Sequence, residues 1–287
     1  MRKMHKLLLV GFWILFSSCQ QQEATPLQVI QDFPKGLKEV SGIAYSDGLI
    51  YALEDSGNPN EVVVLDTLGK IVKTITIAGI ANTDWEDLTF DKQGNLYIGD
   101  FGNNDNTRQD LAIYKVEKGQ LQNNTVDSVA KISFYYPEQT QFPPNKKEMF
   151  YDVEAFFVYG DHFYLFTKNR SKGFDGTSYV YQIPNVPGHH RAQLVDKIIT
   201  CSDYHNCVIT SAAISPDGST FALLSHSKVW LFQQYPKDDI TKGKMTELNL
   251  HHYSQKEAIT FTDNNQVFIA DERVKKEGGT LYRLKLR

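Results

Sequence analysis

The sequence predicts an all-β protein, a five-bladed β-propeller, from three observations. One sequence repeat occurs five times: a run of residues expected to be extended, a tight turn, and a second, aromatic-rich run that ends at a polar residue. The copies open at Ser41, Glu86, Glu154, Thr210 and Glu257, at spacings of 45 to 68 residues. The linkers are rich in Gly, Asn, Pro and Asp, as turns require, and no long helical periodicity occurs. Strand-built repeats of this length are typical of propeller blades.

Each repeat is expected to form one four-stranded blade. The strand–turn–strand segment forms the two inner strands of the blade. Runs rich in β-branched and aromatic residues that follow it form the outer strands. The predicted outer strands are 62–66 and 71–77, 111–116 and 130–136, 178–183 and 192–199, 228–232 and 245–250, and 280–286 alone. The fifth repeat lacks its outermost strand, so we expect residues 27–33 to complete it, which closes the ring and covers an exposed edge. Six blades, one of them degenerate, is the alternative.

The first 18 residues have the features of an export signal. A positively charged start precedes an apolar run, 7–16, that is too short to span a bilayer. Small residues before Cys19 resemble a bacterial lipobox, which predicts lipidation of Cys19; a plain signal peptide is the alternative. Residues 19–26 would then be a polar tether and residues 27–287 the propeller domain. By resemblance to the general lipoprotein rule, we expect anchoring in the bacterial envelope, at the outer membrane.

Charge and cysteine content restrict the partners. The formal net charge is −4, and removal of a basic signal peptide makes the chain more acidic, which argues against nucleic acid as a partner. We expect a monomer that contacts the membrane through its lipid anchor only and binds a small-molecule or protein ligand. Cys201 and Cys207 of an exported chain favour a disulfide. Free thiols, or a zinc site with His205, are the alternatives.

Polar residues recur at corresponding positions of the five repeats. In a meander, the start of the first strand and the end of the second lie at the same edge, so every blade directs a polar pair to one channel mouth. Glu86, Glu154 and Glu257 would repel one another there unless a cation compensates. The prediction is a calcium site made by these three glutamates, with Asp100 or Asp271 assisting. The alternative is a structural role for the acids, in capping or in ion pairs, such as Glu86 with Lys168 or Arg273.

Other side chains near the predicted mouth are weaker candidates. Glu54, Lys168 and Arg273 are candidate ligand-binding residues, and Trp85 either stacks on a ligand or packs between blades. His226 would act as a general base near neutral pH or form loop hydrogen bonds. An Asn-rich loop, 100–106, has a calcium-like composition but lacks the final glutamate of an EF-hand, so a turn is favoured. The sequence has no nucleophile elbow, P-loop or dinucleotide fingerprint.

Several of these segments resemble a group of exported bacterial propeller proteins, mostly of unassigned function. The resemblance rests on Asp-Trp-Glu-Asp at 84–87 and Leu-Tyr-Ile-Gly-Asp-Phe-Gly-Asn-Asn at 96–104, and it extends over nearly the whole mature chain. More distantly, the plan is similar to phytase-esterase-like and gluconolactonase-type propellers. In the gluconolactonase type, a glutamate at the channel mouth binds a divalent cation that polarises the substrate. Glu86 opens its strand in a comparable way.

Two functions follow as hypotheses. The favoured one is an envelope-anchored ligand-binding or scaffold propeller with calcium at the channel mouth. The alternative is a metal-assisted hydrolase of an ester, lactone or phosphoester, in which the three glutamates hold the cation and His226 or Asp271 moves the proton.

Overall fold

A computed structural model describes residues 27–286, which form five antiparallel sheets around a central axis. The predicted all-β fold with five blades is confirmed. The predicted signal peptide, Cys19 and the whole tether lie outside the described residues.

The strands have the following bounds in chain order: β1 (Gln28–Asp32), β2 (Val40–Ser46), β3 (Leu49–Glu54), β4 (Glu61–Leu65), β5 (Ile71–Ile77), β6 (Trp85–Phe90), β7 (Leu96–Asp100), β8 (Ala112–Val116), β9 (Thr125–Val126), β10 (Ala130–Tyr135), β11 (Val153–Tyr159), β12 (His162–Thr167), β13 (Thr177–Pro184), β14 (Gly188–Arg191), β15 (Gln193–Ile199), β16 (Ser211–Ile214), β17 (Thr220–Leu224), β18 (Lys228–Gln233), β19 (Lys244–Asn249), β20 (Lys256–Asp263), β21 (Gln266–Asp271) and β22 (Thr280–Lys285). Helical structure in the described chain is short: α1 (Tyr204–Cys207) and 3₁₀ turns at Lys118–Gln122 and Ile240–Lys242. Within residues 27–286, no helix has the length and apolarity needed to cross a bilayer.

Each blade is a meander whose first strand lies at the axis. From the axis outward, the blades are β2-β3-β4-β5, β6-β7-β8-β10, β11-β12-β13-β15, β16-β17-β18-β19 and β20-β21-β22-β1. Strand β1 pairs antiparallel with β22, with Gln28 opposite Arg283, so the N-terminal strand closes the ring as predicted.

Two short strands were not predicted. Strand β9 adds in parallel to β5 at the outside of blade 1, and β14 adds in parallel to β10 at the outside of blade 2. Both lie in connections between longer strands, and both cover an outer edge whose backbone groups would otherwise be unpaired.

Five apolar clusters fill the gaps between neighbouring blades. The cluster between blades 1 and 2 contains Trp85, Ile75 and Ile98, and a similar cluster occupies each of the other four gaps. Both faces of an inner strand are therefore buried, and all five residues of β7 are buried. This packing explains why the inner strands are continuous apolar runs rather than alternating ones.

The innermost strands meet on the axis around one buried carboxyl group. Asp87 Oδ2 accepts hydrogen bonds from Ser211 Oγ (3.2 Å) and Phe156 N (3.4 Å), and Ser211 Oγ accepts one from Ile259 N (3.2 Å). A Cβ added at Gly42 would lie only 2.8 Å from the Asp87 Cα, so this position requires glycine. These contacts join the innermost strands of all five blades.

Candidate metal centre at the channel mouth

A polar cavity of about 210 Å³ lies at the mouth formed by the starts of the innermost strands. It is lined by six acidic side chains, Glu39, Asp55, Glu86, Glu154, Glu257 and Glu272, and by two basic ones, Lys168 and Arg170. The three glutamates predicted to converge therefore do line one cavity. An excess of acid in so small a volume has to be compensated by protons, by the two bases or by a bound cation.

Two groups of carboxylates in this region have the spacing of metal ligands. Asp55, Asp84 and Glu86 form one group, and Glu86, Asp152 and Glu154 form the other. Within each group, one oxygen of every residue lies within 4.8 Å of the others. Glu86 belongs to both groups and is therefore the centre of the cluster.

The Glu86 carboxylate is buried without a partner. The residue is 5 % exposed, and no described residue donates a hydrogen bond to its oxygens or forms an ion pair with them. A Cβ at Gly102 would overlap both Glu86 Oε1 and Asp84 Oδ2, so glycine at 102 leaves room for these oxygens. Burial, and then the charges of Glu154 and Asp55, raise the pKa of Glu86 well above its ordinary value. A buried, unpartnered carboxylate of this kind needs a proton or a cation.

The second group carries its own positive charge. Arg170 Nε lies 2.6 Å from Asp152 Oδ2, and Arg170 Nη2 lies 2.8 Å from Glu154 Oε1. Lys168 Nζ lies 3.1 Å from Glu154 Oε2. Burial and the Glu154 charge raise the pKa of Asp152 to about 7, although Arg170 acts in the opposite direction. Burial disfavours the charged form of Lys168, but Glu154 and Glu257 outweigh it and raise the pKa of Lys168.

The first group has no such counter-charge. Within residues 27–286, no basic side chain forms an ion pair with Asp55 or Asp84, because the nearby Arg108 binds Asp100 (2.9 Å) and Asp110 (3.0 Å) instead. Burial and the Asp55 charge raise the pKa of Asp84 to about 6. Burial also raises the pKa of Asp55. Asp55, Asp84 and Glu86 thus form the half of the cluster that lacks a cation from the protein.

Glu257 lines the cavity but belongs to neither carboxylate group. Its Oε2 lies 3.8 Å from Lys168 Nζ, and its Oε1 lies 3.2 Å from His226 Nε2. Burial favours protonation of Glu257, yet Lys168 and His226 outweigh it and lower its pKa. Glu257 is therefore a partner of two bases in this structure, and its role as a metal ligand stays a prediction. It also places Glu86 in no ion pair with Lys168 or Arg273, the pairings expected as alternatives.

Two predicted acids are held by hydrogen bonds away from the cavity. Asp100 Oδ1 accepts from Arg108 Nη2 (2.9 Å) and from Asp84 N (3.1 Å), so it fixes the backbone of Asp84 instead of lining the mouth. Asp271 is fully buried and accepts from Thr280 N (2.7 Å) and from the Tyr282 hydroxyl (2.8 Å). Both Asp271 oxygens are engaged, which argues against its predicted role in moving a proton.

The remaining candidate ligand-binding residues have structural contacts. Glu54 Oε1 accepts hydrogen bonds from the backbone of Lys38 (2.7 Å) and Glu39 (3.2 Å). Arg273 Nη2 donates to the Phe33 carbonyl (2.9 Å). Trp85 is fully buried in the core between blades 1 and 2, in agreement with the packing alternative.

The cysteine pair is not part of either carboxylate group, whereas the Asn-rich loop borders the cluster: Asn104 lines the cavity, and Asn103 N donates to Asp152 Oδ1 (2.7 Å). The Cys201 and Cys207 sulfurs are joined as a disulfide, which leaves no thiolate for a zinc site with His205. In loop 100–106, Asn103 Nδ2 donates to the Tyr151 carbonyl (3.0 Å), and Asn106 Oδ1 accepts from Tyr151 N (2.9 Å). These bonds fasten the loop as a turn between blades 2 and 3.

Asp55, Asp84, Asp152 and Arg170 were not among the predicted site residues. A usable signal was present, because Asp84 and Asp152 each stand two positions before a glutamate that opens a repeat. Side chains two apart on an extended segment point to the same side, so each Asp-x-Glu places two carboxylates together. Lys168 and Arg170 have the same spacing and share the same side.

Comparisons with known proteins support the fold and nothing finer. No protein-family model matches the chain, and no curated protein matches it. The structure is similar to the PQQ-bound form of aldose sugar dehydrogenase from Streptomyces coelicolor, with 9% sequence identity, 90% of this chain and 97% of that chain covered, and a TM-score of 0.50. It is also similar to a chain of the nidogen/laminin complex, with 12% identity, 82% and 73% coverage and a TM-score of 0.45.

Proposed function

We propose that this protein is a ligand-binding propeller that holds one divalent cation, calcium, at its channel mouth through Asp55, Asp84 and Glu86. The observation that carries the proposal is the Glu86 carboxylate, buried without a hydrogen bond or ion pair from any described residue. Two carboxylates 4.8 Å apart repel by roughly 3 kcal/mol at an effective dielectric constant of about 20. A cation bound between them turns that repulsion into attraction.

The distribution of positive charge supports the Asp55 side of the cluster as the ion's location. Arg170 and Lys168 already neutralise Asp152 and Glu154. A second cation there would be repelled by both bases. The three remaining carboxylates meet no base, so the electrostatic gain from an ion is largest among them.

The donor set favours a hard cation. Carboxylate oxygens suit calcium, which takes six to eight oxygen ligands in flexible geometry. Three carboxylates leave some of these positions for water or for oxygen atoms of a ligand in the cavity. In this proposal the ion therefore helps to bind the ligand as well as to neutralise the mouth.

Calcium titration of the chelator-treated protein tests this proposal. Isothermal titration calorimetry should give one ion per chain and weaker binding of magnesium, which needs stricter geometry. Asp84→Asn should weaken calcium binding at least tenfold. Binding of no divalent ion, or binding unchanged in Asp84→Asn, would count against it.

A metal-assisted hydrolase is the second candidate, and the contact between His226 and Glu257 favours it. His226 Nε2 lies 3.2 Å from a glutamate that lines the cavity, and His226 Nδ1 has no hydrogen-bond partner among the described residues. Water on the ion would be the nucleophile and the His226–Glu257 pair would take its proton. Calcium-dependent ester or phosphoester turnover that is lost in His226→Gln would favour the enzyme. The aldose sugar dehydrogenase shares the fold alone, so its redox chemistry is not carried over.

Anchoring to the envelope through a lipid on Cys19 is part of the proposed function. Metabolic labelling with a fatty-acid analogue should mark the expressed protein, and Cys19→Ser should abolish both the label and its membrane fraction. Size-exclusion chromatography of the released domain should give a monomer. Unlabelled, fully secreted wild-type protein would contradict the anchor.

A further inference from the structure

A second cavity lies at the end of the propeller opposite the mouth. Its volume is about 630 Å³, larger than the cavity at the mouth. It is formed by the end of β11, the β16–β17 turn, the segment after β18 and the β20–β21 turn, which belong to blades 3, 4 and 5. In a meander, turns between the first and second strands lie away from the first strand's start, so this cavity is remote from the carboxylate cluster.

Side-chain amides line this cavity and are available to a ligand. Gln234 and Asn265 are exposed, and their side chains form no hydrogen bond with any described residue. Gln234 has a φ of 59°, a left-handed backbone conformation that is costly for a residue other than glycine. Strain of this type is concentrated at binding sites.

Two tyrosines form an apolar wall beside the amides. The Tyr159 and Tyr235 rings lie 6.2 Å apart at 88°, and both side chains are partly exposed. The Tyr235 hydroxyl donates to the Gly218 carbonyl (2.7 Å), which fixes its ring. Gly218 has a φ of 71°, and a Cβ there would lie 3.2 Å from the Tyr159 ring, so glycine keeps this part of the wall open.

The cavity is close to neutral. Its lining contains one acid, Asp217, and one base, Lys237. Asp217 Oδ1 already accepts hydrogen bonds from Ser215 Oγ (2.7 Å) and Ser219 N (2.9 Å). The cavity therefore presents amides, hydroxyls and aromatic edges without the charge excess that an ionic ligand would need.

We propose that this cavity binds a neutral oligosaccharide. Amide groups donate to and accept from neighbouring sugar hydroxyls, and the apolar C–H faces of a sugar ring pack against tyrosine. An anionic sugar would meet a single lysine, and a cationic ligand would meet a single aspartate, one of whose two oxygens is already engaged. This site does not depend on the proposed cation.

The test is titration of the purified protein with maltotriose, cellotriose and N,N′,N″-triacetylchitotriose, followed by saturation-transfer NMR and calorimetry. At least one should bind with a dissociation constant on the order of 1 mM, as expected for a small ligand in an open site. The double variant Gln234→Ala/Asn265→Ala changes two exposed, unbonded side chains, so it should fold normally and bind at least tenfold more weakly. Tyr235→Ala should also weaken binding, while Glu86→Gln, at the other end of the propeller, should leave it unchanged.

Three outcomes would overturn the proposal. One is no binding of any of the three sugars at about 10 mM, roughly ten times the expected dissociation constant. Another is binding that the double variant leaves intact. The third is binding of trigalacturonate alone, which would assign the cavity to acidic sugars.

Discussion

Replacement of Glu86 by glutamine separates the cation proposal from a purely structural role for the cluster. In chelator, at a pH high enough to ionise Glu86 despite its raised pKa, Glu86→Gln should be more stable than wild type, because it removes one charged carboxylate from a group in which the oxygens lie within 4.8 Å of each other. One such repulsion is worth roughly 3 kcal/mol at an effective dielectric constant of about 20. No hydrogen bond to Glu86 is lost among the described residues, so we expect a gain of about 1–3 kcal/mol. For a domain of this size, that is a rise in Tm of roughly 2–10 °C.

Calcium should remove or reverse this difference in stability. At a concentration 100 times the dissociation constant, a bound ion adds about 2.7 kcal/mol to the wild type, a rise in Tm of roughly 5–10 °C. Glu86→Gln should show almost none of that rise in differential scanning calorimetry. Glu272→Gln is the matched control, since Glu272 lines the same cavity, lies in neither carboxylate group and accepts a hydrogen bond from Gln255 (2.8 Å). A full calcium shift in Glu86→Gln, or a lower Tm in chelator, would refute the reasoning.

Three further predictions concern the charges around the axis. Arg170→Gln should lower the free energy of unfolding in chelator by about 2–4 kcal/mol, because it leaves the buried Asp152 and Glu154 without their guanidinium partner. Calorimetry of this variant should detect a second calcium ion. An unchanged urea denaturation curve together with a single bound ion would contradict this prediction. In chelator, the free energy of unfolding should fall between pH 5 and pH 8. The pKa values of Asp152 and Glu272 are raised to about 7 in the folded protein, so the unfolded chain loses these protons at lower pH than the folded chain does. A free energy of unfolding, measured by urea denaturation, that rises over this range would argue against this prediction. Asp87→Ala should lower the free energy of unfolding by about 3 kcal/mol, since it removes the acceptor through which blade 2 bonds to blades 3 and 4. Asp87→Asn keeps an oxygen acceptor and should lower it less. Equal losses for the two variants in urea denaturation would show that these hydrogen bonds contribute nothing.

The ring of blades could be predicted because the sequence of each blade contains the same strand–turn–strand repeat. Closure by β1 also followed, since the fifth repeat had three strands and a strand-like segment preceded the first. Strands β9 and β14 were missed because they have two and four residues. Such short segments become strands only through pairing with distant partners, β5 and β10, and no local pattern marks them.

The site was predictable to the level of backbone position. Glu86, Glu154 and Glu257 occupy the same position in the aligned repeats, at the start of an innermost strand. This shared position predicted that they lie at one mouth. The length and conformation of the side chains decide which acid pairs with which base. The contact of Lys168 with both Glu154 and Glu257 could therefore not be predicted from the sequence. Asp271 occupied an equivalent strand end, yet its carboxylate turns toward the neighbouring strand.

An anomalous difference map from a crystal soaked in calcium, or in terbium as a stronger scatterer, tests the central claim most directly. The account predicts one peak within bonding distance of Asp55, Asp84 and Glu86, with Arg170 still bound to Asp152. A peak at the Asn-rich loop instead, or no peak while Glu86 carries a proton visible by neutron diffraction, would contradict it.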